Sequence, residues 1–246
     1  ARPADLVKRL TWRPKKGGPL QFNDTPPVLF HVPEREARAV LAALAPYRDT
    51  VGAGRRLILD AYHPVDVAFK VVGTGSVGTL DYVVLAFGIN EKDPLFLQVK
   101  QAVASCYAPY RPRRERAGHQ GRRVAEGQQR MQTVVDPFLG WTTIGRRHFL
   151  VRQLADHKAS IDVAMLRGRA LLAYALVCGE VFAKAHARTG DPAILAGYCG
   201  RSDQFDGSLA RFAVAYADQM TADFERFSRL VKNGTVAVES GAARHA

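Results

Sequence analysis

The chain has 246 residues, of which 47% are hydrophobic, so it can bury a sizeable core and is not disordered throughout. Lysine and arginine total 35 against 23 acidic residues, and the formal net charge of +12 favours phosphate-bearing ligands but also suits an ordinary solvated surface. Three cysteines without metal-binding or redox spacing, and no apolar run of about 18 residues, predict a cytoplasmic protein with no membrane segment.

The first part of the chain, residues 1–60, is punctuated by prolines and glycines. It predicts an irregular wrapping segment and not a domain of its own. One helix is predicted inside it at residues 34–44, where apolar residues recur at helical spacing between two prolines.

A run of strands follows and begins the predicted second region, residues 61–158. Residues 65–71 alternate apolar and polar side chains, residues 82–87 are β-branched and aromatic, and residues 95–100 alternate again. Short turn-forming segments separate these runs. The pattern predicts a meander of three antiparallel strands.

An arginine-rich segment interrupts the strands, with six arginines between residues 110 and 123. Its repelling charges and scarce apolar residues predict a mobile, solvated loop. A helix at about residues 121–133 and a strand pair at 138–144 and 148–154 are predicted next.

The remaining region, residues 159–246, is predicted to be helical. One apolar stripe ends at Gly190, and a final helix runs from the capping candidates Ser202 and Asp203 to Asn233. The predicted fold class is therefore α+β, with a strand-rich antiparallel lobe followed by a helical lobe.

The sharpest local motif is G-x-G-x-x-G, formed by Gly73, Thr74, Gly75, Ser76 and Gly78. Glycines let backbone amides approach a polyphosphate closely. A dinucleotide-binding fold needs a helix directly after this motif, whereas a strand follows here. The motif therefore predicts a glycine-rich hairpin, which covers phosphates in protein kinases but is also compatible with a plain β-turn.

Two further residues follow in the order found in kinases. Lys100 ends the next strand, where a kinase needs a cation for the α- and β-phosphates, and Glu126 lies in the following helix, where it can pair with that lysine. Each has an ordinary alternative. Lys100 also fits an exposed strand end, and Glu126 also fits surface pairs with Arg122 and Arg130, four residues away on either side.

Together these motifs resemble the bacterial family known as domain of unknown function 2252. The resemblance covers residues 57–231 and is carried by five stretches: VVGTGSVGT (71–79), DPLFLQVK (93–100), VRQL (151–154), AHAR with GD (185–188, 190–191) and FAVAYADQ (212–219). That family is similar to kinase-like and aminoglycoside-phosphotransferase-like proteins.

The resemblance implies an ATP cleft, a Mg²⁺ ion and an unknown phosphate acceptor. It implies a hinge at Gln153 and Leu154, and it implies nucleotide contacts by Gly73, Thr74, Gly75, Ser76, Gly78, Lys100 and Glu126. Relatives also carry Gly-Asp-x-His-x-x-Asn and Asp-rich segments upstream of the glycines, and this sequence contains neither, so it is similar to a C-terminal portion. No asparagine here follows an aspartate at the spacing of a kinase catalytic loop, and no metal-ligand set is predicted.

Three functions remain open at this point. The first is an ATP-binding, phosphotransferase-like protein that lacks its catalytic loop in this chain and is inactive alone. The second is a pseudokinase-like binding or regulatory module, which the same residues fit equally well. The third is a basic nucleic-acid-binding protein that uses the arginine-rich loop, which the absence of a recognised nucleic-acid motif disfavours.

Overall fold

The structure is a computed structural model that describes residues 3–14, 17–71, 73–113, 117–154 and 161–237. The chain separates into two compact units, residues 1–185 and 186–246. The helices are α1 (Pro3–Leu10), α2 (Glu34–Ala42), α3 (Leu44–Arg48), α4 (Ala53–Leu59), α5 (Gln120–Met131), α6 (Gly168–Thr189), α7 (Pro192–Cys199) and α8 (Gln204–Lys232). The strands are β1 (Thr11–Trp12), β2 (Gln21–Phe22), β3 (Leu29–His31), β4 (His63–Lys70), β5 (Asp81–Phe87), β6 (Pro94–Gln101), β7 (Gly140–Ile144) and β8 (Arg147–Gln153).

The main sheet has six antiparallel strands in the order β3-β4-β5-β6-β8-β7. The predicted meander is confirmed as β4, β5 and β6, and the predicted pair is confirmed as β7 and β8. After β6 the chain passes through α5 and enters β7 at the edge of the sheet. It then returns as β8, which lies between β7 and β6. The mixed α and β fold with antiparallel sheets is therefore as predicted.

The central strand β5 is buried along its whole length because helices and loops cover both faces of the sheet. On one face Val83 packs in a cluster with Leu6 of α1. On the other face Val84 packs with Val40 of α2 and Tyr47 of α3. Full burial of a side chain of this size contributes about 2 kcal/mol, so both layers stabilise the sheet.

The first sixty residues are more regular than predicted. The described part of this segment, residues 3–14 and 17–60, has four helices in place of the single predicted one, and β3 joins the main sheet. Leu6 and Leu10 of α1 lie one turn apart and are buried against the sheet together with Phe22. Short helices of this kind are stabilised by tertiary packing, which a sequence pattern of eight residues does not reveal.

Both long helices predicted for residues 159–246 are confirmed, as α6 and α8. The predicted boundary at residues 158 and 159 lies outside the described residues. By length and composition α6 could cross a membrane, and its apolar side chains are exposed, with Leu172 65% and Phe182 67% accessible. A single helix of this composition is a weak indication of a membrane span, because helices of soluble proteins reach the same composition.

Candidate functional site

The loop of residues 71–80 joins the antiparallel neighbours β4 and β5. Gly73 and Gly78 have φ angles of 151° and 79°, which side chains rarely adopt, so glycine is required at both ends of the loop. Between them, Ser76 N donates to Gly73 O and Thr79 N donates to Ser76 O. The loop is thus held in a defined turn, and Cβ atoms added at its three glycines would meet open space.

A cavity of about 230 Å³ lies between this loop and the adjoining ends of β4 and β5. Gly73, Ser76 and Gly78 line it from the loop, and Lys70 and Asp81 line it from the strands. Ligand pockets for drug-sized molecules are usually about 300–1,000 Å³. The cavity is therefore suited to a small polar ligand or to part of a larger one.

Lys100 of β6 contacts two residues that line this cavity. Its Nζ donates to Ser76 Oγ at 2.5 Å and lies 3.8 Å from Asp81 Oδ2. Lys100 and Asp81 are directly opposite in the β5–β6 ladder, so their side chains lie on the same face of the sheet. The register thus holds the predicted lysine beside the predicted loop.

Asp81 is the buried carboxylate of the site, with 1% of its surface exposed. Gln98 Nε2 donates to both of its oxygens at 2.9 Å, and Gln98 Oε1 accepts from Arg152 Nε at 2.8 Å. Burial raises the pKa of Asp81 to about 6, although Gln98 and nearby cations oppose the rise. Arg152, Gln98, Asp81 and Lys100 form one connected polar network inside the sheet.

Lys70 is a second cation at the cavity, and it is half-buried at the end of β4. Burial lowers its pKa, the charge of Arg9 lowers it further, and Asp81 raises it. Its Nζ has no ion-pair partner within 4.0 Å in the part of the chain that the structure describes. Lys70 therefore lies in a setting that an anionic ligand would stabilise.

Glu126 does not form the predicted ion pair with Lys100. It accepts from Arg122 Nε at 2.7 Å, one turn earlier on α5, while Asp81 is the carboxylate beside Lys100. The predicted ion pair was wrong, because the register of β5 and β6 sets Asp81 opposite Lys100, while Glu126 pairs with Arg122 within its own helix. The helix is nevertheless near, since Ala125 packs with Leu150, the residue opposite Lys100 in the β6–β8 ladder.

The predicted hinge residues lie at the end of β8. Gln153 N donates to Asp136 Oδ2 at 2.6 Å, and Leu154 N donates to Phe96 O at 2.8 Å. Residues 155–160 lie outside the described part of the chain, so a hinge role stays a prediction. The Thr74 side chain and residues 114–116 of the arginine-rich loop also lie outside it.

The apolar half of the same sheet face is filled by the N-terminal segment. Phe96 alternates with Gln98 and Lys100 along β6, so it lies on their face. It packs in one cluster with Phe22 and with Leu6 of α1. The surface beyond the polar network is therefore occupied by this chain's own side chains.

A second and larger cavity, of about 560 Å³, lies along α5. Arg122, Arg123 and Arg130 line it together with Glu126. Arg122 is paired with Glu126, and Arg123 Nη2 donates to Val103 O. This cavity is a second candidate for anion binding, but its arginines already interact with other groups of the protein.

The donors at the smaller cavity suit an anion better than Mg²⁺. Asp81 is its lining carboxylate, and Gln98 and Lys100 already face that group. Mg²⁺ requires several oxygen ligands, and no cluster of three or more His, Cys, Asp or Glu residues is present among the described residues. The described residues at this cavity therefore suit an anion and do not form a Mg²⁺ site.

Sequence reasoning missed Asp81 and Lys70. A signal existed, because Asp81 opens the apolar strand β5, and Gln98 and Lys100 occupy alternating positions of the otherwise apolar strand β6. The register that sets Asp81 against Lys100 depends on the length of the turn between β5 and β6, which the sequence alone left undefined.

Comparison with known proteins identifies a family. No curated protein and no solved structure matched the chain. A sequence profile of the family described as uncharacterized protein conserved in bacteria (DUF2252) matches residues 2–230. The match covers most of the chain and confirms the family resemblance seen in its motifs, so the chain belongs to the DUF2252 family of bacterial proteins.

Proposed function

We propose that this chain is an ATP-binding, kinase-like protein that holds the phosphates of its ligand between the loop 71–80 and Lys100. The observation that carries the proposal is the position of Lys100 Nζ, 2.5 Å from Ser76 Oγ and 3.8 Å from Asp81 at the edge of the cavity. A fixed ammonium group beside glycine-rich backbone is what a polyphosphate needs.

The order of elements supports a kinase-like arrangement. In protein kinases a glycine-rich loop covers the phosphates, the lysine lies on the third strand, and a helix with a glutamate follows. Here the loop joins β4 to β5, Lys100 lies on β6, and α5 packs on the face that carries Lys100. The departure is the counter-ion, which is Asp81 and not Glu126.

The charge at the cavity also supports phosphate binding. Lys70 and Lys100 flank the single buried carboxylate of Asp81, so the site carries an excess of positive charge wherever both lysines are protonated. The whole chain is basic, with a net charge of +12, which draws anions toward it before they bind. Both effects act on ATP.

We further propose that these 246 residues bind ATP without transferring its phosphate. Phosphoryl transfer needs a base and metal ligands to position the acceptor and neutralise charge. The sequence has no aspartate followed by an asparagine at the spacing of a kinase catalytic loop, and the cavity donors do not fit Mg²⁺. The role is therefore that of a binding or regulatory module unless other residues supply those groups.

A calorimetric titration of the 246-residue chain with ATP, run beside an ATP-hydrolysis assay, tests this proposal. Lys100→Ala should weaken binding at least about tenfold, because a hydrogen-bonded charge pair contributes about 1.5–3 kcal/mol. The matched control is Lys92→Ala, which removes an exposed lysine at the turn between β5 and β6. Equal affinities for the two variants, or hydrolysis that Lys100→Ala abolishes, would show the proposal to be wrong.

A further inference from the structure

We infer that the cavity beneath the loop 71–80 recognises the phosphate chain of its ligand and not a nucleobase, with Lys70 as its second cation. This inference deepens the proposed function and rests on it. It extends the site beyond the loop and Lys100 to a residue on the opposite side of Asp81. The predicted ligand class is any diphosphate or triphosphate chain, with or without a nucleoside.

Lys70 is placed for this role by the sheet. It ends β4 where Asp81 begins β5, and both side chains line the cavity. Asp81 therefore lies between Lys70 on one neighbouring strand and Lys100 on the other. A phosphate chain in the cavity would lie beside Lys70 and close to Lys100, which contacts the lining residues Ser76 and Asp81, and this pair of cations suits a ligand that carries several charges.

The charge around Lys70 is unbalanced without a ligand. Asp81 is the one carboxylate whose charge raises the pKa of Lys70, and its oxygens already accept from Gln98 and lie near Lys100. The positive charge of Arg9 lowers the pKa of Lys70. A half-buried ammonium group with little compensation is costly, and an anion beside it offsets that cost.

The sheet surface next to Lys100 is filled by this chain's own side chains. Continuing along β6 from Lys100, the next side chain on the same face is Gln98, which is 1% exposed and bonded to Asp81 and Arg152. Beyond it Phe96 packs with Phe22, itself completely buried. A base could lie on this part of the sheet only if the N-terminal segment left it, whereas the cavity beneath the loop needs no such movement.

The experiment compares three ligands on the full chain by calorimetry: inorganic tripolyphosphate, ATP and GTP. Each is titrated into the wild type, Lys70→Gln and the control Lys92→Gln, at one fixed salt concentration. The expected result is that the three ligands bind the wild type within about threefold of one another. Lys70→Gln should weaken all three at least about tenfold, and Lys92→Gln should not.

The outcomes separate this inference from the proposed function. ATP binding more than about tenfold tighter than tripolyphosphate and GTP would overturn the inference and leave the proposed function standing. Equal effects of Lys70→Gln and Lys92→Gln would also overturn it, since general attraction by a basic protein then explains the binding. If the wild type binds none of the ligands, both fail. Thermal unfolding of Lys70→Gln provides the folding control, with no loss of stability expected.

Discussion

Replacing Asp81 with asparagine should change how the stability of the protein depends on pH. Asp81 is 1% exposed, and burial raises its pKa from 3.8 to about 6. An acid whose pKa is higher in the folded state binds its proton more tightly there, so it stabilises the fold at low pH. That contribution is lost as pH rises from about 3.8 to about 6.

The size of the effect follows from the pKa. A tenfold change in a protonation equilibrium corresponds to about 1.4 kcal/mol, so the full change is about 3 kcal/mol. Asparagine has the same shape, stays neutral, and still offers an oxygen to Gln98. The difference in unfolding free energy, variant minus wild type, should therefore rise by about 3 kcal/mol across this pH range, in favour of the variant.

Urea unfolding at a series of pH values measures this difference. The contributions of the other titrating groups to the unfolding free energy are the same in both proteins and cancel in the difference. Asp60→Asn is the matched control. Arg48 lowers the pKa of Asp60, so the stability that Asp60 contributes is lost only as pH falls below about 3.8, and its difference curve should be flat above that. Parallel stability curves for Asp81→Asn and the wild type would refute the reasoning.

Two further predictions concern α5. Gly121→Ala should destabilise the protein by about 3 kcal/mol or more, because the added Cβ would lie 2.1 Å from Phe149 O. The Cβ added by Gly127→Ala would meet open space, so this variant should be more stable than the wild type by up to about 1 kcal/mol. Thermal unfolding of both variants checks this, and equal melting temperatures would contradict it. Glu126→Gln should leave the ATP affinity within about twofold of the wild type in calorimetry, because Glu126 pairs with Arg122 and not with Lys100; a tenfold loss would restore Glu126 as the partner of the lysine.

The strands of the site could be predicted from the sequence because their signals are local. Residues 82–87 form an apolar run, and residues 97–100 alternate apolar and polar side chains after a second apolar run. The structure has β5 and β6 at these positions. The G-x-G-x-x-G motif likewise identified the loop that lines the cavity. A strand pattern and a glycine spacing are set by neighbouring residues, so one sequence suffices to find them.

The partners of Lys100 could not be predicted in the same way. The choice between Asp81 and Glu126 depends on strand register and on the position of α5, both of which are tertiary. Helix α1 was missed for a related reason. The helix that carries Leu6 and Leu10 is stabilised by packing on the sheet, and a local sequence pattern does not show this packing. Long-range packing decided what the local pattern left open.

The position of a bound polyphosphate tests the central claim most directly. A crystal structure of the chain with tripolyphosphate should have phosphate oxygens within about 3 Å of Lys100 Nζ, Lys70 Nζ and backbone amides of the loop 71–80. Phosphate found instead among Arg122, Arg123 and Arg130, in the larger cavity along α5, would contradict the claim.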